Sequence, residues 1–153
     1  MEIKGVLTED FVNYKKPSML IMFPKCSFKC GSQVCQNHIL AQGDSIEVSA
    51  QKLVDMYINN PITSAIVCGG LEPFDSYADL LDLIINLRKK TNDDIVIYTG
   101  YTEEEIAFPL KEIKEYPNII IKFGRYKINN KPHFDELLGV KLASDNQYGK
   151  KVS

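Results

Sequence analysis

The stretch SMLIMFPKCSFKCGSQVCQN, residues 18–37, joins a continuous apolar run to a loop that carries three cysteines. Its first six residues show no polar alternation, which is typical of a strand covered on both faces in a parallel sheet. Three further runs have the same character: SAIVC (residues 64–68), DIVIYT (residues 94–99) and NIIIKF (residues 118–123). The sequence therefore predicts strands of one mostly parallel sheet at these places.

Two amphipathic patterns separate the first three runs. Residues 49–60 repeat apolar side chains four positions apart, and residues 77–87 carry an apolar stripe of tyrosine, leucine and isoleucine. Asp75 and Ser76 stand directly before the second pattern, where either side chain could cap a helix. Both segments are predicted to be helices.

A third helix is indicated after residue 101. Thr102 and Glu105 have the spacing of a capping box, which marks a helix start. Pro109 should kink or interrupt this helix, because proline lacks the amide hydrogen that the helix needs.

The alternation of strands and helices predicts the fold class. Right-handed β-α-β crossovers wind such a chain into a parallel sheet with helices outside. A closed eight-unit barrel takes about 250 residues, whereas this chain has 153. We therefore expect an α/β fold, a partial (β/α) barrel with a mostly parallel sheet of about four to six strands and helices on its outer face. We expect one domain over residues 1–153, with its core in residues 10–123 and residues 124–153 as a terminal extension packed on that core.

The composition is that of an ordinary globular domain, with 44% hydrophobic and 25% charged residues. The net charge of -2 provides no basic field, so we expect neither a nucleic-acid nor a membrane partner. The apolar runs are too short to span a bilayer and the first residues lack the apolar core of a signal peptide, so we expect a cytoplasmic protein. In that reducing compartment, clustered cysteines indicate metal or redox chemistry.

The cysteine loop offers a soft metal site. Cys26, Cys30 and Cys35 follow the first predicted strand, and three thiolates can hold either zinc or three irons of a cubane cluster. His38 could supply the fourth ligand that structural zinc needs. Cys68, at the end of the second run, is either a small core side chain or a fourth ligand that would close an electron-transfer centre.

A second motif, CGGLEPF at residues 68–74, follows the second run. Two glycines let the backbone approach a ligand closely, and the Glu72 carboxylate comes directly after. Because carboxyl ends of parallel strands meet at one edge of a sheet, this motif and the cysteine loop can converge on one ligand.

Five segments together resemble one protein superfamily. They are DFVNYKKPSMLIMFPKCSFKC (residues 10–30), VCQN (residues 34–37), GGLEP (residues 69–73), YTGY (residues 98–101) and LASDNQYGKKV (residues 142–152). They resemble the radical S-adenosylmethionine superfamily and, within it, the small activating enzymes of anaerobic (class III) ribonucleotide reductase. The cysteines here are separated by three and then four residues, where that family has three and two, and Leu71 stands between Gly70 and Glu72.

The resemblance implies two cofactors. Cys26, Cys30 and Cys35 would hold three irons of a 4Fe-4S cluster, leaving the fourth iron open to S-adenosyl-L-methionine. The residues implied to contact S-adenosylmethionine are Gly69, Gly70, Glu72, Pro73, Asn37 and Thr99. No side chain is implied to act as a catalytic acid, base or nucleophile, because the cluster and S-adenosylmethionine carry the chemistry.

The resemblance also implies an activity. Such enzymes reductively cleave S-adenosylmethionine to a 5'-deoxyadenosyl radical, which generates a glycyl radical on an anaerobic ribonucleoside-triphosphate reductase. The implied partners are this large glycyl-radical protein and a flavodoxin-like or other low-potential electron donor. Two alternatives within the class are an activase of another glycyl-radical enzyme and a small-molecule radical enzyme. The alternative from another class is a non-enzymatic zinc or electron-transfer iron-sulfur module.

Two pairs of polar or aromatic residues have open roles. Tyr98 and Tyr101 flank the end of the third run, where their rings could pack on an adenosine or fill the top of the sheet. Asn146 and Gln147 could meet a partner or tie down the chain after residue 124.

Overall fold

The computed structural model describes all residues from Met1 to Ser153. The strands are β1 (Glu2–Ile3), β2 (Gly5–Asp10), β3 (Ser18–Phe23), β4 (Ile46–Glu47), β5 (Ala65–Gly70), β6 (Asp94–Tyr98), β7 (Ile119–Phe123), β8 (His133–Asp135), β9 (Val140–Leu142) and β10 (Tyr148–Lys151). The α-helices are α1 (His38–Gln42), α2 (Ala50–Ile58), α3 (Tyr77–Arg88) and α4 (Ala107–Ile113), and Pro73–Ser76 form a 3-10 turn. No helix is long and apolar enough to cross a membrane.

The central sheet has six strands in the order β10-β7-β6-β5-β3-β2. The four inner strands β3, β5, β6 and β7 are parallel, and the two edge strands pair antiparallel with their neighbours. The prediction of a mostly parallel α/β sheet is therefore confirmed. The predicted partial barrel is not fully realised, because the sheet keeps two free edges instead of closing on itself.

The four apolar runs form the four parallel strands, with bounds that differ from the predictions by at most two residues. The largest difference is in β5, which continues through Gly69 and Gly70 because both residues still pair with β3. Edge strands β2 and β10 were not predicted, since an edge strand needs no continuous apolar run. The chain after residue 124 thus supplies β10 to the sheet and a separate β8-β9 pair.

One face of the sheet packs against α2, α3 and α4. The fully buried side chains on this face include Ile21, Cys68 and Ile97 of the strands, together with Leu53 and Leu83 of the helices. Ser49 caps α2 by accepting a hydrogen bond from the Lys52 amide at 3.1 Å. Apolar burial on this face supplies most of the stabilisation that holds the sheet in place.

The predicted starts of α3 and α4 are only partly confirmed. Neither Asp75 nor Ser76 caps α3 with its side chain. For α4 the capping box is present, since Glu105 accepts from the Thr102 amide and Thr102 from the Glu105 amide, at 2.8 and 3.3 Å. Regular helix begins only at Ala107, so Pro109 falls in the first turn, where its missing amide hydrogen costs no helical hydrogen bond.

The opposite face of the sheet is covered only in part. Leu20, Val67 and Ile120 pack there against Tyr14 and Leu138, which belong to the chain segments before β3 and after β8. This second cluster is smaller than the helix-facing one and stops short of the carboxyl ends of the strands. The uncovered end of this face is where the chain leaves room for a ligand.

Candidate functional site

A cavity of about 460 Å³ opens at the carboxyl ends of the parallel strands. Met22, Gly69, Tyr98 and Lys122 occupy neighbouring positions on the four parallel strands and form its sheet wall. Side chains alternate between the faces of a strand, so these residues point away from α2, α3 and α4. Gly69 has no side chain, and its position in the middle of this row opens the space.

Gly70 ends β5 at a place that no other residue can occupy without strain. Its φ is +80°, and a Cβ atom there would lie 2.9 Å from the Met22 Cα atom and 3.1 Å from a Leu40 methyl group. The Gly70 carbonyl oxygen accepts a hydrogen bond from the Asn37 side chain at 2.7 Å. The glycine pair therefore brings bare backbone to the cavity and ties it to the cysteine loop.

The cysteine loop forms another wall of the same cavity. Cys26, Cys30 and Cys35 are all partly exposed and all line it. The Phe28 amide donates to the Cys26 sulfur at 3.3 Å, and the Asn37 amide donates to the Cys35 sulfur at 3.4 Å. Burial raises the pKa of the Cys26 and Cys30 thiols, so metal binding must supply the free energy that deprotonates them.

Phe28 has an unusual backbone conformation within this loop. Its φ of +53° is left-handed, which costs a non-glycine residue about 1 to 2 kcal/mol. The amide of the same residue donates to the Cys26 sulfur. The loop is therefore shaped around the sulfur atoms at some cost in backbone energy.

The donor set suits an iron-sulfur cluster better than a zinc ion. Structural zinc is held by four protein ligands in a tetrahedron, and the loop brings only three cysteines to the cavity. His38 does not line the cavity, and its Nδ1 atom lies 3.0 Å from the Cys35 carbonyl oxygen. A cubane cluster binds each thiolate on a different iron, so three cysteines that line one cavity fit it.

Cys68 lies outside this site. Its side chain is fully buried on the helix-facing side of β5, among Ile21 and Ile97, and it does not line the cavity. Burial raises the pKa of the Cys68 thiol to about 12. The structure thus agrees with a small core side chain and not with a fourth metal ligand.

Glu72 links the ends of β5 and β6. Its carboxylate is buried and accepts hydrogen bonds from the Thr99 hydroxyl at 2.8 Å, the Gly100 amide at 2.8 Å and the Phe74 amide at 3.1 Å. Burial raises the pKa of Glu72, and these hydrogen bonds partly offset that rise. Since a carboxylate has about four acceptor sites, these bonds leave one site on Oε2 unused, and Glu72 lines the cavity.

Of the remaining residues predicted to contact S-adenosylmethionine, two line the cavity and one does not. Thr99 lines the cavity, but its hydroxyl already donates to Glu72 and accepts from the Tyr101 amide at 3.0 Å. Asn37 also lines the cavity. Pro73 does not, because it starts the 3-10 turn behind Glu72.

Lys122 is a site residue that the sequence analysis missed. It lines the cavity, is only 7% exposed, and no carboxylate lies within ion-pair distance of its ammonium group. Nζ donates to the Gly124 carbonyl oxygen at 2.8 Å, and burial lowers the pKa of Lys122 to about 8. The available signal was a lone lysine inside the apolar run NIIIKF.

The structure also shows where the two tyrosines and the two amide residues with open roles lie. Tyr98 lines the cavity and donates from its hydroxyl to the Asn13 carbonyl oxygen at 2.6 Å, whereas Tyr101 lies on the outer side of the cysteine loop. Asn146 and Gln147 both bind backbone carbonyl groups of residues 124–125, at 2.8 and 3.2 Å. These two amides therefore tie down the chain that follows β7.

Fold and site together define an iron-sulfur protein of the α/β class. Comparison with known families identifies which one: the sequence model of the 4Fe-4S single cluster domain matches residues 18–147, most of the chain. The protein belongs to this family and carries a 4Fe-4S cluster. No curated protein and no solved structure matches the chain.

Proposed function

We propose that this protein is a radical S-adenosylmethionine enzyme that generates a glycyl radical on an anaerobic ribonucleoside-triphosphate reductase. The observation that carries the proposal is that the cysteine loop, the Gly69-Gly70 strand end and the Lys122 ammonium group line one cavity. An electron-transfer cluster needs no such cavity beside it. A ligand that has polar ends and an apolar body does need a cavity of this kind.

The residues present suit each part of S-adenosylmethionine. Cys26, Cys30 and Cys35 are the proposed cluster ligands, and the three leave one iron without a protein ligand. The ammonium group of Lys122 is buried and has no carboxylate within ion-pair distance, so it suits a ligand carboxylate as its direct counter-ion. The free acceptor site of Glu72 suits an amino group. The proposed cofactor thus offers a counter-ion to Lys122 and a further hydrogen-bond donor to Glu72.

With both cofactors bound, the chemistry supplied is the one-electron cleavage of S-adenosylmethionine to methionine and a 5'-deoxyadenosyl radical. The protein itself contributes by orienting the ligand and by excluding water. Backbone at Gly69 and Gly70 sets the closest approach of the ligand, and Tyr98, held by Asn13, closes the sheet wall. No residue has to hold or move a proton in this scheme.

The cavity size favours a macromolecular hydrogen donor. At about 460 Å³ it lies in the lower part of the range for small-molecule sites, which is about 300 to 1,000 Å³. One nucleoside-containing cofactor takes up most of this room, so a second substrate has to reach it from outside. Phe11 and Val12, which are 66% and 75% exposed, stand in the segment that borders the cavity and offer apolar contact to a docking protein.

The first experiment is anaerobic reconstitution with iron and sulfide, followed by electron paramagnetic resonance of the reduced protein with and without S-adenosylmethionine. We expect a cubane signal that changes when S-adenosylmethionine is added, because one iron is open to it. An unchanged signal would overturn the proposal and leave a closed electron-transfer cluster. Zinc in place of iron would overturn both the proposal and the cluster assignment.

The substrate is tested next with the reduced, reconstituted protein. Incubation with S-adenosylmethionine and an anaerobic ribonucleotide reductase should give the signal of a glycyl radical on the reductase and one 5'-deoxyadenosine per radical. A flavodoxin-like protein or dithionite supplies the electron. A radical that forms on another glycyl-radical enzyme and not on the reductase would replace this substrate while keeping the class.

A further inference from the structure

Asp75 holds the cysteine loop although it lies in the 3-10 turn before α3. One carboxylate oxygen accepts the backbone amide of Ser27 at 2.7 Å, directly after Cys26. The other accepts the hydroxyl of Tyr101 at 2.6 Å, and this hydroxyl also lies 3.3 Å from the Ser27 hydroxyl. Asp75 is thus the point at which the cysteine loop, the turn before α3 and the loop after β6 meet.

Two cationic side chains contact the Tyr101 ring. The Lys29 ammonium group lies 4.9 Å from the ring centre, and the Arg125 guanidinium lies 5.3 Å from it. Arg125 is in turn held by both carboxylate oxygens of Glu105 at 2.8 and 2.9 Å. The Tyr101 hydroxyl therefore reaches Asp75 from a ring with little freedom to turn away.

The hydrogen bond to Ser27 lies next to the strained part of the loop. Phe28, the following residue, has a φ of +53° and donates its amide to the Cys26 sulfur at 3.3 Å. A residue in this conformation relaxes unless its neighbours restrain it. Asp75 restrains the peptide between Cys26 and Ser27. This peptide adjoins the one that carries the Phe28 amide, so the same carboxylate limits how far that amide can turn away from the sulfur.

We propose that Asp75, oriented by Tyr101, is a positioning residue for the iron-sulfur cluster. By holding the Ser27 amide it keeps Cys26 in place as a ligand and keeps the Phe28 amide on the Cys26 sulfur. Hydrogen bonds to cluster sulfur stabilise the more negative, reduced state and raise the reduction potential. The proposal rests on Cys26 as a cluster ligand and does not depend on S-adenosylmethionine as the second cofactor.

The test compares Asp75→Ala and Tyr101→Phe with the control Asp79→Asn. Asp79 lies one helical turn further along α3, so its substitution also removes one negative charge but leaves the cysteine loop untouched. Each protein is reconstituted anaerobically, and the loss of iron-sulfur absorbance is followed in excess iron chelator. We expect loss about tenfold faster for Asp75→Ala and about threefold faster for Tyr101→Phe, as fits one charge-assisted bond and one bond that orients it.

The midpoint potential of the retained cluster separates positioning from general stability. Tyr101→Phe changes no charge at neutral pH, and we expect its potential to fall because the Phe28 hydrogen bond to sulfur weakens. Asp79→Asn should keep the wild-type potential. A wild-type potential and loss rate for Tyr101→Phe would overturn the proposal, even if Asp75→Ala failed to fold.

Cys26→Ser makes this result independent of the proposed function. If that variant still binds a complete cluster, the ligand assignment is wrong and the positioning role falls with it. If Cys26→Ser binds no cluster while Asp75→Ala and Tyr101→Phe behave like the wild type, the ligand assignment stands and the positioning role alone is wrong. Neither outcome involves S-adenosylmethionine.

Discussion

The two faces of the sheet are made by the same four parallel strands, yet they differ completely toward the carboxyl ends. On the helix-facing side Cys68, Ile97 and Ile121 are fully buried, as are Phe23 and Phe123 at the ends of β3 and β7. On the other side the row at the same height holds Gly69 and Lys122, and a cavity opens there. Successive side chains of a strand point to opposite faces, which places Cys68 in the core and its neighbour Gly69 at the cavity.

This contrast separates residues that hold the fold from residues that hold a ligand. A side chain on the helix-facing side contributes through apolar burial, so its replacement should change stability and leave cofactor binding intact. A residue on the cavity side borders a space that a ligand can fill, as Lys122 does without a carboxylate within ion-pair distance. The following predictions test this division, from the largest effect to the smallest.

The largest effect is expected from the cysteines. Replacing Cys26, Cys30 or Cys35 with serine should abolish cluster binding, since an alcohol is a poor ligand for the iron of a cubane. Cys68→Ala should keep the cluster and lower the free energy of unfolding by about 1 kcal/mol, because it empties a small part of the core. Iron and sulfide content after reconstitution measure cluster binding, and urea unfolding measures the stability of Cys68→Ala. Loss of the cluster in Cys68→Ala would break the division between the faces.

The neighbouring glycines offer a matched pair. Gly70→Ala forces a left-handed alanine against the Met22 backbone, so it should lower the free energy of unfolding by about 2 to 5 kcal/mol through strain and overpacking. In Gly69→Ala the new methyl group meets Tyr98 only at 3.6 Å, an ordinary contact, so stability should change by less than about 1 kcal/mol.

The Gly69→Ala methyl group nevertheless enters the cavity. Binding of S-adenosylmethionine, followed by calorimetry on the reconstituted protein, should therefore weaken in this stable variant. Equal destabilisation of both glycine variants would contradict the prediction that a side chain is strained at position 70 and tolerated at position 69.

Lys122→Met keeps an unbranched side chain of similar length and removes the charge. Binding of S-adenosylmethionine should weaken about tenfold, the typical worth of a hydrogen bond to a charged group. Stability should stay the same or rise at neutral pH, because the buried charge no longer has to be desolvated. A variant that binds as tightly as the wild type would remove Lys122 from the site.

The same residue predicts a pH dependence with a definite sign. The folded pKa of Lys122 is lowered to about 8, below the unfolded value of about 10.4. Between these values the unfolded chain holds more protons, so the free energy of unfolding should rise with pH, by up to about 1.4 kcal/mol per unit. Below the folded pKa the lysine is charged in both states and this gain is absent. Urea unfolding from pH 7.5 to 9.5 should show the slope in the wild type and not in Lys122→Met.

The smallest effect belongs to the helix-facing side. Ser49→Ala removes the side-chain cap of α2, which should lower the free energy of unfolding by about 1 kcal/mol. Cluster content and S-adenosylmethionine affinity should not change, since α2 touches only the helix-facing face. A loss of affinity in this variant would indicate that the two faces are coupled.

The sequence was sufficient for the parallel strands, because each is an apolar run too short for a typical helix and the runs alternate with amphipathic helical segments. It was also sufficient to bring the three cysteines and the Gly69-Gly70 motif to one edge. It placed Gly69 and Gly70 after the strand, whereas the structure keeps them inside it, where their backbone pairs with β3. Whether a glycine ends a strand or only opens a gap in it depends on the neighbouring strand.

Other parts of the site were out of reach because they depend on contacts across long distances in the chain. Asp75 looked like a helix cap, but its partner Ser27 lies 48 positions away. Lys122 looked like one polar residue in a strand, and only the register with Tyr98 shows that it faces the cavity. Glu72 was expected at the ligand, and its three bonds to β6 and the turn are set by the fold.

The open sheet has a consequence for how these molecules behave toward each other at high concentration. A free strand edge is a template for pairing with another chain, and such pairing leads to aggregation. Here β10 ends in Lys150 and Lys151, and the pairing of β2 with β3 shifts in register between Leu7 and Asp10. Both are devices that discourage edge-to-edge association. The sheet can therefore stay open, with room for a ligand at one end, without its edge strands promoting aggregation.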